Sequence, residues 1–182
     1  IYGKKFNTES EVRNFLDSIR NTDINPINTD QLFEATVGNK LADIFFRPYT
    51  RKMWGIDPSQ LSLNVGTRLP VRVNEDTRYF NDDFQALPKN GYSKMVEKML
   101  EHENIQVNLN TSYKKGMENF YDHSFLCLPI DQFFDFEYGV LPYRSIIFEH
   151  KKEFDEDLSA PVINFTDDSC YTRKTQWNLL PN

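Results

Sequence analysis

The sequence predicts an α+β protein: a small helical bundle over roughly its first third, followed by a twisted, mostly antiparallel sheet. Two patterns predict it. Apolar residues recur at helical spacing between about 9 and 54, whereas from 67 to 80 and again beyond 145 they alternate or cluster in short runs, as strands do. A composition of 39% hydrophobic residues, 14% of the chain being aromatic, argues for a folded core, and 182 residues suit one domain or two small ones.

Taken in order, Thr8-Glu9-Ser10-Glu11 has the Thr-x-x-Glu form of a capping box, and Val12, Phe15, Leu16 and Ile19 follow at helical spacing, so a first helix is expected over about 9–20. A loop containing Pro26 leads to Asn28 or Thr29 as the cap of a second helical stretch. Leu32, Phe33, Val37, Leu41, Ile44 and Phe45 form its apolar face, Gly38 is a candidate break, and Pro48 a kink or restart. Trp54-Gly55 ends the helical part, and Asp57-Pro58-Ser59-Gln60 reads as a turn or short helical start. Strands are expected within 67–80, with Asn74-Glu75-Asp76 as the turn between two of them. Ser93 is the expected cap of a helix whose Met95, Val96, Met99 and Leu100 share one face. Further strands are expected at 105–109, 125–129, 145–149, 160–165 and 171–177.

Charge and composition exclude several classes. The formal net charge of -6 opposes a general nucleic-acid binder, which needs a broad basic face. No apolar run approaches the length of a membrane span. Cys127 and Cys170 form neither a disulfide framework nor a metal-ligand spacing, and His102, His123 and His150 are scattered, so no metal is expected and a reducing, cytoplasmic setting fits best. Asp131, Asp135 and Glu137 lie close together and are expected to be solvated. Glycines stand singly, without a phosphate-cradling Gly-rich loop. A chain that begins at Ile1 within a strand-like segment is expected to be a piece of a longer protein.

One region stands apart. From Arg47 to Arg78 there are six basic residues (Arg47, Arg51, Lys52, Arg68, Arg72, Arg78) against Asp57, Glu75 and Asp76, interleaved with Phe45, Phe46, Tyr49 and Trp54. Planar guanidinium forks match phosphate oxygens and aromatic faces stack on a base, so a nucleotide-like anion is one reading. The other is structural: the arginines form a solvated strand face and the aromatics the buried side of a helix.

Several motifs in order carry a family resemblance. Tyr49-Thr50-x-x-x-Trp54-Gly55, Arg68-x-Pro70-Val71-Arg72, Tyr79-Phe80, Pro88-x-x-Gly91-Tyr92-Ser93-Lys94, Pro129-Ile130-Asp131, Tyr143-Arg144-Ser145 and Val162-Ile163-Asn164-Phe165-Thr166-Asp167, followed by Tyr171-Thr172-Arg173, resemble successive blocks of UDP-galactopyranose mutase. The resemblance spans about 41–173. It implies a flavin-dependent enzyme that interconverts UDP-galactopyranose and UDP-galactofuranose without net redox change, UDP leaving and being recaptured within the site. It also implies that Phe45, Phe46, Tyr49, Thr50 and Trp54 form the base and ribose end of the pocket. Arg68 and Arg173 would hold the diphosphate and stabilise it as it leaves, Tyr79 would donate its hydroxyl to the same group, and Asn164 would lie near the sugar.

The implied layout is a helical substrate-binding part over 1–66, first sheet strands over 67–88, a helix and strands resembling a partial α/β flavin-domain segment over 89–135, and antiparallel strands over 136–182. The family's Gly-rich strand-turn-helix and its closing flavin segment are not seen in this sequence, and Leu126-Cys127-Leu128 stands where many members have Tyr-Thr-Gly. FAD, in reduced form, is therefore expected in the full-length protein and not on this piece, which is expected to be inactive by itself. The expected partner is UDP-galactose or a related UDP-sugar, and a homodimer is compatible with the resemblance. Two other functions remain open: a nucleotide-sugar binding module without catalysis, and a related FAD-dependent oxidoreductase with another substrate, although an amine or porphyrin needs no diphosphate clamp.

Overall fold

The computed structural model describes residues 1–68, 70–76, 78, 80–152 and 158–179. Tyr79, one of the expected ligand-binding residues, lies outside them. The described residues divide into two compact units, one built from residues 1–86 with those from 152 onward, the other from 87–151.

The first unit opens with α1, Glu9–Ile19. Thr8 Oγ1 accepts the Glu11 N–H at 3.2 Å as the capping box requires, but the return bond from the Glu11 carboxylate goes to the N–H of Asn7, at 2.7 Å. Phe15 is half-buried against the rings of Tyr2 and Phe6, centroids 4.9 and 5.2 Å away, so the N-terminal residues cover the apolar stripe of α1.

Asn28 caps α2, Thr29–Val37, by accepting the Gln31 N–H at 2.9 Å. The buried hydroxyl and N–H of Thr29 bond to the carbonyls of Ser62 and Leu61, which ties the start of α2 to the chain thirty residues later. Gly38 separates α2 from the short α3, Asn39–Leu41. Its φ of 77° and ψ of 162° belong to a region open to glycine alone, and an added Cβ would collide with the Ile19 carbonyl group. Gly38→Ala is therefore expected to destabilise this unit by more than about 1 kcal/mol, read as a lower melting temperature.

From α3 the chain continues through a π-helical turn, Ala42–Phe46, into α4, Arg47–Trp54. Pro48 sits at the second position of α4, directly after the π-helical turn, within a helical run that is unbroken over 39–54. Gly55, at φ 70°, ends α4 with its N–H on the Arg51 carbonyl at 2.7 Å. The 3-10 turn Pro58–Gln60 and α5, Leu63–Gly66, follow. The core is Phe33, Val37 and Ala42 with Leu41 and Phe46 packed on it; Phe33 and Phe46 lie 5.1 Å apart between ring centroids.

The sheet is a two-stranded antiparallel hairpin, β1 (Val162–Asn164) with β2 (Arg173–Thr175), in register Val162↔Thr175 and Asn164↔Arg173. Gln176, fully buried, closes its base: its N–H donates to the Pro161 carbonyl at 2.9 Å and its Oε1 accepts from the Leu158 N–H at 2.8 Å. A last 3-10 turn spans Trp177–Leu179.

The second unit holds α6, Gly91–Leu100, a 3-10 turn at Met117–Phe120, and α7, Ile130–Phe133. The helix expected to be capped by Ser93 begins three residues earlier, at Gly91, with Asn90 at the cap position and no side-chain cap bond. Its Met95, Val96 and Met99 are exposed.

The fold is mixed α+β as expected, but the sheet is smaller than the sequence suggested. Among the described residues no strand forms within 67–80, at 105–109, at 125–129 or at 145–149. In the first, the turn is present, with Asn74 Oδ1 accepting from the Asp76 N–H, but the Arg72 guanidinium takes the carbonyls of Arg78 and Phe80 at 2.6 and 3.2 Å, replacing a backbone ladder with side-chain bonds. In the others the strand-forming side chains lack a covering surface: Val107, Leu109, Phe125, Ile146 and Ile147 are all exposed. No helix among the described residues is long and apolar enough to cross a membrane.

Candidate functional site

The two faces of α4 do different work. On one, Arg47 is buried and carries four hydrogen bonds, to Asp30 Oδ1 (2.5 Å), Asp43 Oδ1 (2.9 Å), Asn39 Oδ1 (2.9 Å) and the Asn39 carbonyl (3.4 Å), and Thr50 is buried one turn on. On the other, Tyr49 and Lys52, three residues apart and so on one face, meet the hairpin. Arg173 Nη2 lies 3.5 Å from the Tyr49 hydroxyl, and Arg173 Nε donates to Asn164 Oδ1 at 2.9 Å across the register pair. Lys52 Nζ donates to Asp167 Oδ1 at 3.1 Å and to the Tyr171 carbonyl at 3.0 Å. Trp54, at the end of α4, and Phe45, in the π-helical turn, are exposed.

The arrangement thus joins Tyr49 to Asn164 and Arg173, which lie more than a hundred positions later in the sequence. Arg173 is exposed, and its partners, an amide and a phenol, are neutral, so its full charge is available to an anion. Phe46 is turned the other way, onto Phe33 and into a cleft of about 210 Å³ lined also by Leu32, Val37, Gly66 and Val71. Arg68 is exposed, two residues past the end of α5, and takes no part in the hydrogen bonds of Arg173.

The local surplus of positive charge narrows in space. Arg47 pairs with Asp30 and Asp43, Arg51 with Asp57, Lys52 with Asp167, and Arg72 and Arg78 both with Asp76. Asp30, Asp43 and Asp167 lie outside the stretch in which the charges were counted; Asp43 is one helical turn before Arg47, whereas Asp30 and Asp167 are brought near only by the fold. Lys52 and Asp167 form the link that sequence reasoning missed; the shared helix face of Tyr49 and Lys52 is the signal that could have found it.

Asp131, expected to be solvated, is buried in the second unit and accepts from the N–H groups of Gln132 and Leu141 and from the Tyr143 hydroxyl. The Leu141 N–H leads in holding its carboxyl below the usual range, so it stays an acceptor that closes the turn between α7 and Tyr143. Both cysteines are free and exposed.

Asp57 gives the site region a pH dependence. Its Oδ1 accepts the Ser59 hydroxyl at 2.7 Å and the Ser59 N–H at 3.0 Å, while Oδ2 accepts Arg51 Nε at 3.0 Å. The Ser59 hydroxyl first, then its N–H and Arg51, hold the Asp57 carboxyl down at about 2. A carboxyl with a lower pKa folded than unfolded contributes stability above about pH 3.9, and that contribution is lost as pH falls through the folded value. The melting temperature of the chain is expected to drop between pH 4 and pH 2 (roughly, from those two values) more steeply than that of Asp57→Asn, as followed by Trp fluorescence.

Comparison with known proteins identifies relatives of the chain. Residues 44–182 match the family described as UDP-galactopyranose mutase. The chain is 39% identical over 141 residues to a Klebsiella pneumoniae protein named "Probable UDP-galactopyranose mutase", an alignment that covers 77% of this chain and 37% of that protein. It is 35% identical over 162 residues to dTDP-fucopyranose mutase of Escherichia coli, covering 82% of this chain and 43% of the relative, and 30% identical over 168 residues to UDP-galactopyranose mutase of Mycoplasma genitalium, covering 84% and 42%. The chain therefore spans well under half the length of these relatives, and the matched segment contains Phe45, Tyr49, Trp54, Arg68, Asn164 and Arg173. On the motifs, the matched residues and these relatives together, the chain belongs to the UDP-galactopyranose mutase family.

Proposed function

We propose that this chain is the substrate-binding portion of a flavin-dependent mutase that interconverts UDP-galactopyranose and UDP-galactofuranose. The observation that carries the proposal is the Tyr49–Asn164–Arg173 cluster: an exposed guanidinium whose partners, an amide and a phenol, are neutral. Trp54, Phe45 and Tyr49 hold the uridine end, with Phe46 and Thr50 shaping it from beneath. Arg173 and Arg68 bind the diphosphate and stabilise the charge that grows on it as the glycosidic bond breaks, keeping the leaving group in place for recapture. Asn164 orients Arg173 and faces the sugar end, and Tyr79 adds a hydroxyl to the phosphates.

The described residues do not fit a flavin. No Gly-rich turn meets a helix N-terminus among them, and Gly91, the one glycine that opens a helix as long as α6, has open space around it and no side-chain cap beside it. FAD is proposed for the whole protein, with 89–135 as part of the domain that holds it; the uncovered apolar face of α6 supports this assignment.

A second reading concerns the sugar nucleotide. One relative is named for dTDP-fucopyranose, so a dTDP-sugar is the alternative substrate. The whole protein, chemically reduced, should be given UDP-galactofuranose and dTDP-fucofuranose in parallel and the products separated by chromatography. Conversion of the UDP-sugar supports the first reading, conversion of the dTDP-sugar alone supports the second, and conversion of neither would sink both.

A further inference from the structure

We infer that Lys52 is a positioning residue: by bonding Asp167 and the Tyr171 carbonyl it latches the β1–β2 hairpin onto α4 and sets the span between the uridine and diphosphate ends of the site. The inference rests on the proposed binding of a nucleotide diphosphate. The hairpin has three paired residues per strand, too few to hold its own position, so its place is set by what it docks against. Among the described residues, Tyr49 and Lys52 of α4 make polar contacts with it. The Arg173–Tyr49 approach is 3.5 Å, at the limit of a hydrogen bond, whereas Lys52 makes two charge-assisted bonds of 3.0 and 3.1 Å with its side chain 15% exposed.

The acceptor is organised in advance. Asp167 Oδ1 also takes the Ser169 hydroxyl at 2.6 Å and the Ser169 N–H at 3.1 Å, which fixes the carboxylate within the loop between the strands. That loop is closed by the Phe165 N–H on the Thr172 carbonyl at 3.0 Å. Lys52 therefore grips the loop on both sides, at Asp167 leaving β1 and at Tyr171 entering β2. Two residues away on the helix is Trp54; three residues before Asp167 is Asn164, and two after Tyr171 is Arg173. Tilting the hairpin on α4 would move Asn164 and Arg173 together relative to Tyr49 and Trp54. An aspartate 61% exposed gives little stability by itself, so the effect is expected on geometry more than on folding.

The test compares Lys52→Met, Lys52→Arg, Asp167→Asn and the double variant Lys52→Met with Asp167→Asn, each checked for folding by circular dichroism. Without ligand, amide hydrogen exchange in 162–176 is expected to speed up in Lys52→Met and Asp167→Asn alike, and to stay near wild type in Lys52→Arg, whose fork can reach both acceptors. With UDP as the probe, each of the first two should weaken binding on the order of tenfold, and the double variant should be no weaker than Lys52→Met. If Lys52→Met weakens UDP binding while Asp167→Asn leaves it unchanged or strengthens it, Lys52 touches phosphate directly and the latch is wrong. Unchanged exchange in both variants overturns it as well. If wild-type chain does not bind UDP the functional reading fails instead, and the exchange measurement still decides the latch.

Discussion

Arg47→Met is expected to destabilise the first unit by about 3–5 kcal/mol, the usual cost of removing one partner from a buried ion pair. Arg47 is 8% exposed, and its guanidinium joins Asp30 of α2, Asn39 of α3 and Asp43 of the π-helical turn. Methionine fills similar volume but leaves Asp30 and Asn39 with acceptors aimed at an apolar side chain. Most of the loss comes from Asp30, whose side chain is 27% exposed, because the Asp43 side chain is open enough for water to replace the arginine. Trp54 and Trp177, the two tryptophans of the chain, both lie in the first unit, so urea unfolding followed by Trp fluorescence reports that unit. Adding Asp30→Asn to Arg47→Met should recover part of the loss, since it removes the stranded charge. A shift below about 1 kcal/mol, the range of exposed ion pairs, would mean that the network is solvated in solution.

Arg173→Ala is expected to weaken binding of UDP by about 1.5–3 kcal/mol, the range for hydrogen bonds to charged groups, while leaving binding of uridine nearly unchanged. The asymmetry follows from position. Arg173 sits on β2 with Asn164 and Tyr49 as neutral partners, and Trp54 stands at the end of α4, so removing the guanidinium takes the diphosphate contact and spares the stacking surface. Arg173→Lys should recover only part of the affinity, because an ammonium does not reproduce a planar fork that holds Asn164 and two phosphate oxygens together. Calorimetric titration of the three proteins with UDP and with uridine checks this, and equal losses for both ligands would assign Arg173 a purely structural role.

The helices were legible because their signals are local. Thr8, Asn28, Asp57 and Gly55 act at the caps and turns that their residue types suggest, and Gly38 breaks the helix where a backbone without Cβ is required. Of the strands, the two expected at 160–165 and 171–177 formed, as β1 and β2, and among the described residues the others did not, because a strand exists only with a partner. Runs at 105–109, 125–129 and 145–149 have strand-like composition, yet among the described residues only 162–164 and 173–175 find a register. For 67–80 the competitor was a single side chain, Arg72, whose bonds to two carbonyls no alternation pattern reveals.

The candidate site was legible through motif order rather than physics. Tyr49, Asn164 and Arg173 were named by resemblance, and the fold brings Arg173 within hydrogen-bond reach of the other two. Counting charges along the sequence overstated the anion site, since Asp30, Asp43 and Asp167 neutralise cations from outside the counted stretch. Phe46 illustrates the same limit for aromatics: Phe45 is exposed and Phe46 packs on Phe33, and which of two adjacent rings faces inward depends on the π-helical turn.

Titration of the folded chain with UDP, followed by Trp fluorescence, decides whether the surface formed by α4 and the hairpin takes a uridine diphosphate group. A saturable change with micromolar to millimolar affinity, abolished as a signal by Trp54→Phe, is the expected result. A flat titration of chain whose folding is verified by circular dichroism, or a change that survives Trp54→Phe intact, would contradict it.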